Sequence, residues 1–316
     1  EEIIFTSGAT EANNLALLGL ARYGLASGQR HILSTAIEHK AVLEPLAELE
    51  RLGFAVELLP VDESGRLEPR RLADALRPDT LLVSTMQVNN ETGVSQPIAE
   101  LSAMLKDHQA FWHVDAAQGF GKEIEPLRDH RIDLLSISGH KIYGPKGIGA
   151  LIARKRGGAF PPLQPLMFGG GQEQGFRPGT LPVPLIAGLG EAARLALRTY
   201  EERVDSCRAF RQRLLAALAP LGPVLNGDQQ QVLPHTVNLS LPGIPSDRAI
   251  TALKRLIAVS STSACTSHTR TPSHVLAAMG LGEQRIETSI RLSWCHMTPE
   301  PDWDKVVAAL QFLRRR

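Results

Sequence analysis

With 316 residues, 43% of them hydrophobic and 21% charged, the chain is long enough for a large core and two domains, and its composition excludes a disordered protein. A formal net charge of +1 gives no global electrostatic reason to bind nucleic acid or an anionic membrane. No apolar run reaches the roughly 20 residues needed to span a bilayer, since Arg22 interrupts the stretch from Leu15 to Leu25, so a soluble protein is expected.

The chain opens without a methionine, directly on the apolar run Ile3 to Thr6; no signal peptide is visible, and an earlier segment is expected to precede it. Ile3 to Thr6, His31 to Thr35, Phe54 to Val61, Thr80 to Val88 and Phe111 to Val114 read as strands separated by amphipathic helical patterns, which predicts a largely parallel α/β sheet. Between Leu134 and Lys155 two apolar runs are separated only by Gly139 to Gly149, too short for a helical crossover. An antiparallel strand is therefore expected there, in a mixed, mostly parallel sheet. A Pro- and Gly-rich span, Gly157 to Pro184, precedes a long helical pattern running from near Leu185 past Leu215. The domain boundary is placed inside that helix, giving a large domain 1–198 and a smaller α+β domain 199–316. The smaller domain has strands predicted at Thr236 to Leu241, Ile257 to Ser260 and Ile290 to Trp294, and helices starting at Asp247, Pro272 and Glu300.

Chemistry concentrates where the predicted strands end. Ser138-Gly139-His140-Lys141 lies downstream of His113-Val114-Asp115-Ala116-Ala117-Gln118. A pyridoxal phosphate (PLP) enzyme needs an amine to hold the cofactor aldehyde and a carboxylate to keep the pyridine nitrogen protonated, and Lys141 and Asp115 are the candidates. Ser7-Gly8-Ala9-Thr10-Glu11 follows a strand and opens a helix, which suits a phosphate; the competing reading is a capped turn with Thr10 as N-cap. His39 falls where a second strand gives way to a helix and suits ring stacking and proton transfer, with a surface or structural histidine as the alternative. Lys40 is expected to face solvent.

Asn89-Asn90-Glu91-Thr92-Gly93 reads either as a turn or as an amide able to bond a cofactor oxygen and a substrate carboxylate. Gln118 is spaced to reach a ring hydroxyl while Asp115 reaches the nitrogen, and Ser138, His140 and Thr180 can add phosphate contacts. Three scattered cysteines argue against a disulfide framework and for a reducing cytoplasm. Cys265 stands in a small, polar run, Ser260 to Ser267, unlike Cys207 in a helical pattern and Cys295 after a strand, which read as structural.

These residues resemble the class V aminotransferase-fold PLP enzymes, and within them the cysteine desulfurases of the NifS/IscS type. FTSGATEANNLAL, EHKAVLEP, VNNETGV, HVDAAQ, SISGHKIYGPKGIGAL, GGGQEQGFRPGTLPV, SSTSACTS and SIRLSW occur in family order over nearly the whole chain. The segments AIEHKAVLEPL and TPSHVLAAMGL are similar to the DndA subtype, the desulfurases of bacterial DNA phosphorothioation. The resemblance implies a PLP-dependent transferase of fold type I, with a seven-stranded-type sheet, helices on both faces, and an active site near the interface of a homodimer. It places Lys141 at the covalent cofactor link, Asp115 at the pyridine nitrogen and Gln118 at the phenolic oxygen. Ala9, Thr10, Ser138 and His140 fall at phosphate contacts, Thr180 at the phosphate contact given to the partner subunit, and His39 at the stacking acid/base. Asn90 matches a cofactor and substrate contact, Arg291 the arginine that clamps the substrate carboxylate, and Cys265 the cysteine that takes the sulfur.

The activity implied is removal of sulfur from L-cysteine to give L-alanine and a persulfide on Cys265. That sulfur would pass to an iron–sulfur scaffold, a tRNA-thiolation protein or a DNA-sulfur-modifying protein, with no direct nucleic-acid or membrane contact. No metal site is read from the sequence, although Cys265 is a candidate ligand to a cluster. The rival readings are selenocysteine lysis or transamination on the same fold, in which Cys265 is dispensable, and a non-catalytic binding protein. The family's opening DNAATT and NPSS-type motifs are expected before Glu1, where they help complete the substrate site.

Overall fold

The computed structural model describes residues 2–261 and 272–314. The chain divides into two compact units. The first comprises the residues up to Pro60, Leu67–Val88 and Gln96–Arg198; the second comprises Val61–Arg66, Asn89–Ser95 and the chain from Thr199 onward.

The first unit is built on seven strands: β1 (Ile3–Thr6), β2 (His31–Thr35), β3 (Ala55–Leu59), β4 (Thr80–Met86), β5 (Phe111–Asp115), β6 (Leu134–Ser138) and β7 (Gly149–Ala153). Their order in the sheet is β1-β7-β6-β5-β4-β2-β3. The pairs from β6 through β5, β4 and β2 to β3 are parallel, and β7 runs antiparallel to both neighbours, as the short link after β6 required. β2, β4 and β6 are buried along their whole length, which accounts for their continuous apolar and small-polar composition where an alternating pattern would mark a half-exposed strand.

Helices α1 (Ala9–Leu18) and α3 (Lys40–Arg51) contribute Ala12, Leu15, Ala16, Leu46 and Leu49 to a core shared with Ile32, Leu82, Leu134 and Leu151. α2 is Ala21–Ser27, α4 Pro69–Ala75 and α5 Ile98–Leu105. The α1 entry passes so close to β7 that a Cβ on Gly149 would stand 2.6 Å from the Cα of Gly8, so Gly149 admits no side chain. The helical pattern from Leu185 onward, read as one helix, is two: α6 (Val183–Arg198) and α7 (Tyr200–Leu218), parted at Thr199, whose backbone (φ −111°, ψ 23°) leaves the helical region. Both sides of the break are amphipathic, so periodicity alone does not register it.

The second unit carries a four-stranded antiparallel sheet of β8 (Val224–Leu225), β9 (Thr236–Ser240), β10 (Ser260–Ser261) and β11 (Ser289–Ser293), in the order β10-β11-β9-β8. Its helices after α7 are α8 (Ser246–Leu253), α9 (His274–Ala278), α10 (Glu283–Glu287) and α11 (Trp303–Arg314). Val237, Leu239, Ile290 and Leu292 of the sheet pack with Phe210, Leu214, Leu253, Val306 and Leu310. Cys207 is buried in this core and the half-buried Cys295 follows β11, both as free thiols. Among the described residues no helix is long and apolar enough to cross a membrane.

Candidate functional site

The topology gathers the chemistry of the first unit along one edge of its sheet. Register pairs Met86 of β4 with Asp115 of β5, and Asp115 with Ser136 of β6. Two residues on, Ser138 pairs with Gly149, which pairs with Thr6. The segments that follow β1, β2, β4, β5 and β6 therefore leave the sheet on the same side, the side on which open α/β sheets collect ligands.

Asp115 is buried at the end of β5. Its Oδ1 accepts from the Ala117 N–H at 2.9 Å and its Oδ2 from the Asn13 amide at 2.8 Å. Burial pushes its carboxyl above the ordinary range, opposed by those two hydrogen bonds and by the positive charges of His39 and Lys141. His39 and Lys141 thus stand within electrostatic reach of Asp115.

Lys141 is half-buried in a single 3-10 turn, Gly139–Ile142, directly after β6. Ser138, nearly fully buried, bonds His140 Nδ1 at 2.9 Å, and the exposed His140 is held below the ordinary histidine range by lost hydration and by the charges of Lys141, Lys146 and Lys122. His39 is the N-cap of α3: its Nδ1 accepts the Ala41 N–H at 3.1 Å, so the neutral ring carries its proton on Nε2. Lys40 is exposed.

Ala9 and Thr10 are the first two residues of α1, with Gly8, not Thr10, at the N-cap. Glu11 reaches back to the Ser7 N–H at 2.7 Å and is paired with Arg177 at 2.8 Å. Gln118 is half-buried one turn beyond Asp115, and Thr180 is exposed ahead of α6.

Asn90 and Arg291 belong to the second unit. There the segment after β4 folds as a tight turn in which Asn89 Oδ1 accepts from the N–H groups of Glu91 (2.9 Å) and Thr92 (3.0 Å). Gly93 completes it at φ +78°, with a Cβ position 2.4 Å from a Thr236 methyl. The turn reading and the ligand reading of this motif are thus compatible. Arg291 Nη1 donates to the Asn90 carbonyl at 2.9 Å, while its Nε is buried with no acceptor among the described residues. Cys265 lies outside the described residues.

Three site residues escaped the motif reading. Asn13 is fully buried and orients Asp115; within the helical pattern of α1 it reads only as one of two adjacent asparagines. Glu38 is fully buried beside His39, and Glu91 accepts from the Ser273 hydroxyl at 2.5 Å. A glutamate in a polar turn segment gives no sequence signal of burial until the tertiary pairing around it is known.

The class-V aminotransferase description matches residues 1–306. The chain belongs to the class-V aminotransferase family. Among class-V relatives, the mitochondrial cysteine desulfurase of Eremothecium gossypii is 46% identical over 99% of this chain and 64% of its own length. The cysteine desulfurase IscS of Vibrio cholerae is 43% identical over 98% of this chain and 76% of its own. The crystal structure of DndA from Streptomyces lividans superposes with a TM-score of 0.85 at 50% identity, covering 93% of this chain and 83% of that one. This chain thus spans less than two thirds of the Eremothecium relative. The resemblance to NifS/IscS-type desulfurases and the mixed seven-stranded α/β fold of the class-V enzymes are both borne out.

Proposed function

We propose that the protein is a PLP-dependent cysteine desulfurase: L-cysteine and the Cys265 thiol give L-alanine and a Cys265 persulfide. The observation that carries this reading is the convergence of the Lys141 and His39 charges on the buried carboxyl of Asp115, in a class-V chain whose relatives are cysteine desulfurases. The donor set fits PLP. Asp115, held by Asn13 and the Ala117 N–H, offers a fixed buried acid to a ring nitrogen, and a cation there would draw its raised pKa back down. Ala9 and Thr10 open α1, whose N-terminal dipole and free N–H groups suit a phosphate, with Ser138 and His140 adding hydrogen-bonding side chains.

When bound, PLP supplies the electron sink that makes a C–H bond beside an amino group acidic. Lys141 would hold the cofactor and, once the cysteine amine had displaced it, would be the amine base for the Cα proton. His39 moves a proton through Nε2, the ring nitrogen that its capping bond does not use. Gln118 meets the ring oxygen, Asn90 contacts cofactor and substrate, and Thr180 serves the phosphate of a partner subunit in a homodimer. Arg291 takes the substrate carboxylate; its buried Nε supports this, being a charged donor still lacking an acceptor within the described residues. The persulfide then passes from Cys265 to an acceptor protein of iron–sulfur assembly, tRNA thiolation or DNA phosphorothioation, in a reducing cytoplasm. Among the described residues no cluster of three or more His, Cys, Asp or Glu could hold a metal, and Cys265, outside them, is the candidate ligand to an iron–sulfur cluster.

The test is a single turnover of PLP-loaded protein with L-cysteine, measuring alanine and protein persulfide, with Cys265→Ser and Lys141→Ala alongside. Persulfide on the parent protein, none on Cys265→Ser, and loss of the bound-cofactor absorbance in Lys141→Ala are expected. Alanine formation that is indifferent to Cys265 would move the assignment to selenocysteine lysis or another class-V reaction.

A further inference from the structure

We infer that Glu38 is a positioning residue: it ties the turn that carries His39 to the strand end beside Asp115, so that the two groups keep one spacing. The inference rests on the PLP reading of the site in the first unit. Glu38 Oε1 accepts from the Thr35 hydroxyl at 2.6 Å, at the end of its own strand β2, and from the Met86 backbone N–H at 2.8 Å, at the end of β4. Met86 is the register partner of Asp115, and the next residue, Gln87, donates its N–H to the Asp115 carbonyl at 2.9 Å. One fully buried carboxyl thus spans the two strands that lie between the His39 turn and Asp115.

The chemistry of that carboxyl suits a mechanical role. Burial pushes it up to about 8 against the Thr35 and Met86 hydrogen bonds, with the Asp115 charge the smallest contribution. A carboxyl raised that far favours its uncharged form at neutral pH. An amide has the same shape, keeps an acceptor oxygen and carries no charge, so glutamine is the natural substitute for a protonated glutamate.

The test compares Glu38→Gln and Glu38→Ala in the full chain by three readouts: PLP affinity from absorbance titration of the apoprotein, kcat and KM for L-cysteine, and Tm. Glu38→Gln is expected to bind PLP within about threefold of the parent. Glu38→Ala, which loses the acceptor for Met86, is expected to bind it at least tenfold more weakly and to lose kcat by about ten- to a hundredfold. Its Tm should not fall in proportion, because the burial of an ionisable group is relieved at the same time. Parent-like PLP affinity and kcat in Glu38→Ala would overturn the inference. So would equal impairment of both variants, which would make the carboxyl proton, and not the acceptor oxygen, the working part. Should Glu38→Ala not fold, a Glu38→Gln protein with impaired PLP binding still refutes the idea. The PLP arm stands even if cysteine proves not to be the substrate, which keeps this inference separable from the desulfurase assignment.

Discussion

Each unit buries a glutamate in a turn, and the two are handled differently. Glu38 in the first unit is surrounded by hydrogen bonds and a second acid, and it reaches about 8. Glu91 in the second is opposed by the Ser273 hydroxyl and then by the Arg291 charge, and burial brings it only to about 7. The interiors differ in their polar clusters too. In the large sheet His113, clasped by Ser84 (2.8 Å) and Ser136 (2.9 Å), is driven by burial down to about 3 and stays uncharged. The small sheet builds its polar core around a cation, with Arg285 donating to Asn226 Oδ1 at 2.7 Å and the Asn226 amide facing Asn238, Ser240 and Ser289. A buried acid can thus be made tolerable by giving it a proton or by giving it a countercharge, and the pH response tells which.

The largest effect is expected at Glu38. A carboxyl whose folded pKa is raised from 4.5 to about 8 contributes stability that is present below the unfolded value and lost as pH rises through about 8. Glu38→Gln removes that loss, and denaturant unfolding should show the variant gaining on the parent between about pH 5 and 8, by at most about 5 kcal/mol. A constant difference across that range would show that Glu38 ionises normally.

Glu91→Gln should gain over a lower window, ending near pH 7, and by less than about 3 kcal/mol, because it also strips Arg291 of a countercharge. The same variant tests the link to substrate: if Arg291 takes a carboxylate, freeing it from Glu91 should lower KM for L-cysteine above pH 7. Asn226→Ala leaves Arg285 and three polar side chains to find new partners in a buried site and should cost about 2–3 kcal/mol, independent of pH from 5 to 8. At the small end, Arg194→Ala breaks only the exposed pair with Glu191 and should leave the denaturant midpoint where it is in the parent. A shift there would mean that surface charge, and not burial, sets the pH response.

Much of this was legible in the sequence, and the exceptions have physical causes. The strands β1, β2, β4 and β5 stand where apolar runs bounded by turn residues put them, and the antiparallel β7 followed from a link too short to cross over. The two-residue strand β8 was not foreseen, because Val224 and Leu225 are too few to show a period. The break at Thr199 was invisible to a pattern continuous on both sides. At the candidate site, Lys141 after a strand, Asp115 at a strand end and His39 at a helix entry stand at the fold positions that the sequence implied. Asn13, Glu38 and Glu91 were not foreseen, because each acts through a partner fixed only by tertiary pairing, at Asp115, Met86 and Ser273.

The two short stretches Val61–Arg66 and Asn89–Ser95 have a consequence for how the chain can mature. The polypeptide passes from the first unit to the second and back twice before it commits to the second at Thr199. Once there, it needs what was laid down earlier: Asp228 donates to the Ser64 carbonyl, Leu233 to Gly93, and Asn238 to Glu91. A fragment beginning at Thr199 would leave these donors without their acceptors. The second unit can therefore be completed only by a polypeptide that still carries its first hundred residues.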